Sequence, residues 1–170
     1  MKRIDLTFET PEANLALDEA LLETADEAGE PCEVLRLWEA PRPLVVLGRA
    51  SRVAVEVDEA GCQARGIPIL RRSSGGASVV VGPGCLMYSA VLSLCLRPQL
   101  QQISTAHCFA LQTLGDALRR LVPEVQCQGT SDLTLGDKKF SGNSLRVRRT
   151  HLLYHGTILY DFPLPLVADC

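Results

Sequence analysis

Only two stretches of this chain repeat their apolar residues at a helical period for any length. Most of the rest is short β-like runs closed by turn residues. That distribution constrains the fold more than any other feature. The first helical stretch follows Thr10-Pro11, an N-cap with proline at the first helical position. Its stripe is Ala13, Leu17, Ala20, Leu21, Ala25 and Ala28, and Gly29 and Pro31 stop it. The second runs from about Ser104 to Leu121, with Ala106, Ala110, Leu114, Ala117, Leu118 and Leu121 on one face. Strands are expected at Ile4 to Phe8, Val34 to Trp38, Leu44 to Leu47, Ile67 to Leu70 and Ser78 to Val81. Further strands are expected from Leu86 to Leu94, from Leu133 to Leu135, from Lys139 onward and from His151 to Tyr160. A short helix is expected from Val57 to Arg65, closed by Gly66. Short turns join most strand pairs, as at Pro41-Arg42-Pro43, Gly82-Pro83-Gly84 and Gly136-Asp137. The expected fold is therefore α+β, a mixed, largely antiparallel sheet flanked by helices, and not a doubly wound parallel one.

The chain has 170 residues, enough for one domain with a sizeable core, and no repeat or linker divides it. The formal net charge of −3 gives no support to bulk nucleic-acid binding. No apolar run reaches the roughly 18 residues needed to span a bilayer, and Met1-Lys2-Arg3-Ile4-Asp5 does not read as a signal peptide. The expected location is the cytoplasm. The seven cysteines are odd in number and lack C-x-x-C spacing. Cys85, Cys95 and Cys108 lie in apolar surroundings and are expected as buried free thiols. No metal site is expected, because the three histidines have no partner cysteines at ligand spacing.

Several segments can carry chemistry, and each has a plain structural alternative. Arg71-Arg72-Ser73-Ser74-Gly75-Gly76-Ala77 can hold a phosphate or carboxylate through guanidinium forks and close backbone N–H groups, or form a solvated turn. In Lys138-Lys139-Phe140-Ser141-Gly142-Asn143-Ser144 a lysine beside a turn of small residues can stabilise negative charge, or simply be exposed. His155-Gly156 within an apolar strand suggests a close approach at the glycine, with a satisfied core histidine as the alternative. Gly82-Pro83-Gly84-Cys85 can wall a pocket or be only a tight turn. Arg146, Arg148 and Arg149 can attract an acidic carrier or form a solvated face.

Taken together, these segments resemble the lipoate–protein ligase and octanoyltransferase family. The resemblance rests on Arg71 to Gly76, Gly82 to Cys85, Lys138 to Ser144 and His155-Gly156-Thr157-Ile158-Leu159, in that order and spacing. Asn14 to Ala20 resembles the family's opening helix. Leu37-Trp38 through Val45 to Arg49 resembles the strand pair after it, and Gly129 to Leu133 a G-x-x-D-L segment. The resemblance implies the biotin/lipoate ligase catalytic fold, with an apolar tunnel for an acyl chain. It implies that Lys139 contacts the mixed anhydride of an acyl adenylate. Arg71, Arg72, Ser74, Gly75, Gly76 and Ala77 would line the acyl-phosphate site. Asp132, Ser141, Gly142, Asn143, His155 and Gly156 would complete the binding surface.

The implied reaction uses ATP and Mg²⁺ to activate lipoate or octanoate. The acyl group then passes to a lysine of a lipoyl carrier domain, of a 2-oxoacid dehydrogenase or the glycine-cleavage H protein. A cysteine-dependent octanoyl or lipoyl transferase using an acyl-carrier thioester is the alternative, and a non-catalytic acyl or acyl-adenylate binding module the third. Transferases of the family place their cysteine at one of two positions. Leu152 holds the first and Glu124 the second, with Cys127 three residues further on. Ala77 replaces a third glycine of the family loop, and Val81 replaces a histidine. Residues 1–170 are expected to form one catalytic domain, cut short at its C-terminal end and without the accessory domain, so that a separate chain carrying that domain is a candidate partner.

Overall fold

A computed structural model describes residues 1–170. The strands are β1 Lys2–Asp5, β2 Val34–Glu39, β3 Leu44–Leu47, β4 Ile69–Arg71, β5 Val79–Val81, β6 Cys85–Ser93, β7 Val125–Gln128, β8 Asp132–Leu135, β9 Lys138–Val147 and β10 His151–Leu159. The helices are α1 Pro11–Ala28, α2 Val53–Glu56, α3 Glu59–Ala64, α4 Ile103–Arg119 and α5 Pro165–Ala168. Seven strands form one sheet in the order β1-β2-β6-β10-β9-β8-β7, and β4-β3-β5 form a second. Only β1–β2 and β3–β4 pair in parallel, so the sheet is mixed and largely antiparallel as expected.

The main core lies where the two sheets face each other. Trp38 of β2 and Cys85 and Met87 of β6 meet Leu44, Val46 and Val81 of the small sheet there. All four residues of β3 are buried, because Val45 points the other way, onto Cys62 and Ile67. This double burial explains its unbroken apolar run. The two long helices cover opposite faces of the large sheet. Leu22 and Ala25 of α1 pack on Val91 and Leu153, while Ala106 of α4 packs near Leu152 and Tyr154. Alternation along β10 therefore sends Leu153, His155 and Thr157 to the α1 side and Leu152 and Tyr154 to the α4 side.

The buried stripe of α1 differs from the apolar stripe read from its sequence. Pro11, Asn14, Asp18, Leu22 and Ala25 are buried, whereas Ala20 and Ala28 are exposed. Arg36 of β2 causes this. Its side chain is fully buried and donates to Leu6 O, Asn14 O, Asn14 Oδ1 and Asp18 Oδ1 at 2.6 to 3.1 Å. Trp38 Nε1 donates to the other Asp18 oxygen at 3.3 Å. A buried cation needs such partners, so two polar residues occupy the inward face. The same network shortens β1. Arg36 takes the Leu6 carbonyl, and the Asn14 side chain takes Phe8 N and O, which draws residues 6–8 out of the expected strand.

Three further expectations change. The helix expected over residues 57–65 is two short helices, because Val57 is extended and Asp58 caps α3 by accepting from Gly61 N at 3.0 Å. Strand β7 was not expected; it adds an edge to β8 by setting Val125 on Leu111 and Leu133. Cys85 is buried, but Cys95 and Cys108 are exposed. Cys95 follows the end of β6, and Cys108 lies off the buried stripe of α4 formed by Ala106, Leu111 and Gly115. Ala117 of that helix is also exposed, as is Leu121 just beyond its end.

Candidate active site

The β9 hairpin carries the feature that makes a site. In a regular strand Lys139 would share a face with Ser141 and Asn143, toward α4. The β8–β9 ladder instead shifts register, pairing Leu133 with Ser141 and Thr134 with Lys139, so that Phe140 is an extra residue. Phe140 turns to the α4 side, onto Leu111, Val125 and Leu133. Lys139 is thereby re-aimed to the other face, a known effect of a β-bulge. It lies over Gly142, where an added Cβ would meet Lys139 Cε at 3.2 Å. Lys139 Nζ pairs with Asp132 Oδ2 at 2.9 Å. Both side chains remain partly exposed, so that pair orients the lysine more than it stabilises the fold.

Lys139 and Asp132 stand at one side of a cavity of about 200 Å³ between the two sheets. Its apolar wall includes Leu15, Val46, Val79 and Met87, and its polar wall includes Ser144, His155 and Thr157. A second cavity of about 250 Å³ lies behind it, beneath α1, lined in part by Ala16, Asp18, Leu70, Ser73 and Leu153. Leu15, Arg72 and His155 belong to both walls.

The loop from Arg71 to Ala77 closes the cavity from the small sheet. Arg71 Nη1 donates to the carbonyls of Gly48, Arg49 and Ser51 at 2.7 to 3.2 Å, which pins the neighbouring loop. Arg72 folds its own loop around itself, donating to Val46 O, Gly75 O and Ala77 O at 2.7 to 3.1 Å and to Ser74 Oγ at 3.1 Å. Both guanidiniums are thus engaged with the protein, and the backbone of Gly75, Gly76 and Ala77 is what they shape. Gly76 has a φ of +91°, and its carbonyl lies where a Cβ on Gly48 would fall, at 1.8 Å. Ser144 Oγ ties β9 to this loop by donating to Gly75 O at 2.9 Å.

Ser74 Oγ lies 2.6 Å from His155 Nε2, and both residues are buried. Burial, with the Arg72 guanidinium nearby, pushes His155 down to about 4, so the ring is neutral at pH 7. Asn143 is held by three groups. Its Oδ1 accepts from Tyr88 at 2.5 Å, and its Nδ2 donates to Ser131 O at 2.7 Å and Ser141 Oγ at 3.3 Å. Gly156 is the strand position that lets Asn143 approach. The structure therefore gathers Arg72, Gly76, Ala77, Asp132, Lys139, Gly142, Asn143, His155 and Gly156 around one cavity, and Arg71 lines the cavity behind. Ser74 and Ser141 act from the layer beneath.

Several contributors escaped the sequence reading. Glu56 accepts from Ser78 N at 2.8 Å and Ser51 Oγ at 3.0 Å, which hold its carboxyl below the usual range and fix the end of the glycine loop. Tyr88 and Gly48 were also missed. A glycine directly after the buried run Leu44 to Leu47 was the available signal for Gly48. Cys127 does not reach the cavity. Its Sγ lies on the α4 side, 3.7 Å from both Arg119 Nη2 and Leu111 O. Leu152 is buried on that same side, and burial pushes the Cys85 thiol up to about 12.

A cavity between two sheets with one apolar and one polar wall, a re-aimed lysine and a glycine loop make up the candidate site of this mixed-sheet domain. The family description "Lipoyl protein ligase A/B catalytic domain" matches residues 10–170, and the chain belongs to that family. It is 32 % identical over 150 residues to a putative lipoate-protein ligase A of Aeropyrum pernix, covering 88 % of this chain and 54 % of that protein. It is also 31 % identical to an octanoyltransferase of Carboxydothermus hydrogenoformans, covering 86 % of this chain and 60 % of that one. A putative lipoate protein ligase from T. acidophilum with bound lipoic acid has the same fold. Its TM-score is 0.83 at 23 % identity, over 99 % of this chain and 73 % of that one. So has a lipoate-protein ligase A bound with ATP, with a TM-score of 0.82 at 24 % identity over 99 % and 70 % of the two chains. The chain spans about half the length of the curated relatives it matches. No helix is long and apolar enough to cross a membrane.

Proposed function

We propose that this chain is the catalytic domain of a lipoate–protein ligase, which activates lipoate or octanoate with ATP and passes the acyl group to a lysine of a lipoyl carrier domain. The observation that carries this reading is Lys139, turned by the bulge at Phe140 over the bare α-carbon of Gly142 into a cavity with an apolar wall. The amides of Gly75, Gly76 and Ala77 donate to no group in the protein, so they stand free to hold an anion. In the first step the acyl carboxylate attacks the α-phosphorus of ATP, and pyrophosphate leaves. In the second, the carrier lysine amine attacks the acyl carbon, and AMP leaves with the bonding pair. Lys139 would stabilise the negative charge that develops on oxygen in both steps. Asp132 holds the lysine in place. Mg²⁺ would enter with the nucleotide phosphates, as this ion commonly does.

Intact-protein mass spectrometry of a lipoyl carrier domain tests the reading, with this chain, lipoate and magnesium, with and without ATP. A gain of one lipoyl group only with ATP is expected, and its loss in Lys139→Met. A gain without ATP, or full activity in Lys139→Met, would overturn it. The thioester route is less favoured, because Cys127 lies across the sheet from the cavity.

A further inference from the structure

The wall common to both cavities holds one polar atom whose protein partner is missing. Ser74 Oγ accepts from Arg72 Nε at 3.1 Å. An arginine N–H can only donate, and the buried Ser74 hydroxyl has no other partner, so its single proton has only His155 Nε2, 2.6 Å away, to accept it. A neutral imidazole that accepts at Nε2 carries its own proton on Nδ1. His155 Nδ1 makes no hydrogen bond within the protein. The fully enclosed polar atoms without partners are Ser89 Oγ, Arg146 Nε and Arg148 Nε; His155 Nδ1 is not among them, because it keeps access to the cavity. The ring lines both cavities, among Leu15, Leu70, Met87 and Leu153.

We infer that the Nδ1–H of His155 is a specificity determinant on the acyl path, favouring a chain that brings a sulfur or oxygen acceptor to that point over an all-methylene chain. This rests on the acyl-binding reading above and narrows its substrate class to the dithiolane-bearing acid. The asymmetry is physical. A chain of methylenes would displace water from Nδ1–H and return no acceptor, leaving a buried donor unmade. A ring sulfur is a weak acceptor, but it meets the donor. The other tautomer would leave the buried Ser74 hydroxyl proton without an acceptor, and that cost holds the His155 proton on Nδ1.

Calorimetric titration of the protein with R-lipoate and with cyclopentylpentanoate tests this. The second acid has the same ring size, with methylenes in place of both sulfurs. The wild type should bind R-lipoate about tenfold more tightly, and His155→Leu should abolish or reverse that preference. Equal binding in the wild type, or a preference that survives His155→Leu, would overturn the inference while leaving acyl binding intact. Binding of neither acid would instead remove the acyl-binding reading itself. If His155→Leu does not fold, long-range proton–nitrogen NMR of the wild type decides the tautomer. A protonated Nδ1 is expected, and a protonated Nε2 would overturn the assignment.

Discussion

A Cβ placed on Gly156 would lie 1.9 Å from Asn143 Oδ1 and 2.7 Å from Gly142 O. The contact joins β10 to the part of β9 that carries Lys139. Gly156→Ala should therefore push those strands apart at the site. Overpacking of this kind costs about 1–3 kcal/mol. A displacement near 1 Å at reacting groups can cost about 100-fold in rate. Thermal melting and carrier acylation should both fall; a variant that keeps full activity would show that β9 absorbs the added methyl without moving Lys139.

Asp18 and Arg36 form an ion pair at 2.6 Å with almost no exposure on either side chain. Asp18→Ala would leave a buried guanidinium one carboxylate short, which costs about 3–5 kcal/mol. Urea unfolding measures it. A loss below about 1 kcal/mol would show that the two asparagine acceptors and Leu6 O suffice to hold the cation. Because α1 also brings Leu15 to the cavity, acyl binding should weaken together with stability.

His155 couples stability to pH. Its ordinary value is 6.5, and in the fold it stands at about 4. Below 6.5 the unfolded chain takes up a proton that the folded chain refuses. The contribution is therefore full above about pH 6.5 and is lost as pH falls toward 4, by roughly 3 kcal/mol in all. In urea unfolding from pH 7 to 4.5, the stability gap between wild type and His155→Gln should narrow as pH falls. A constant gap would mean that burial does not move the ring from its ordinary value.

Cys127 discriminates between the ligase and the thioester route. Cys127→Ser should leave the rate of carrier acylation within about twofold, because the thiol packs against α4 and not the cavity. Incubation with octanoyl carrier protein should give no mass adduct on the enzyme. An acyl adduct lost in Cys127→Ser would transfer the assignment to the cysteine route.

Much of this arrangement was legible in the sequence, and the exceptions share a cause. Alternation and turn residues located β2, β3, β6 and β10 and the loop from Arg71 to Ala77, because each is set by its own neighbours in the chain. The inward face of α1 was misread. A stripe search favours alanine and leucine, whereas Asn14 and Asp18 are drawn inside by Arg36, which lies 22 and 18 residues further along. The exposure of Cys95 and Cys108 likewise depends on where a strand ends and which face of α4 meets the sheet. Strand β7 exists through its pairing with β8.

The sequence by itself determined most of the elements, their largely antiparallel character and the presence of Lys139, the glycine loop and His155 in the family's order. Local periodicity and turn chemistry act over a few residues, and these features need no more. Only the tertiary structure decided where Lys139 points, since the bulge at Phe140 arises from pairing with β8 and reverses the face that alternation would assign. It also decided that Arg71 and Arg72 are engaged with backbone carbonyls and that His155 is neutral with Nδ1 unpartnered. Those properties depend on groups brought together from distant parts of the chain, where burial and donor geometry set the protonation and the direction of each side chain.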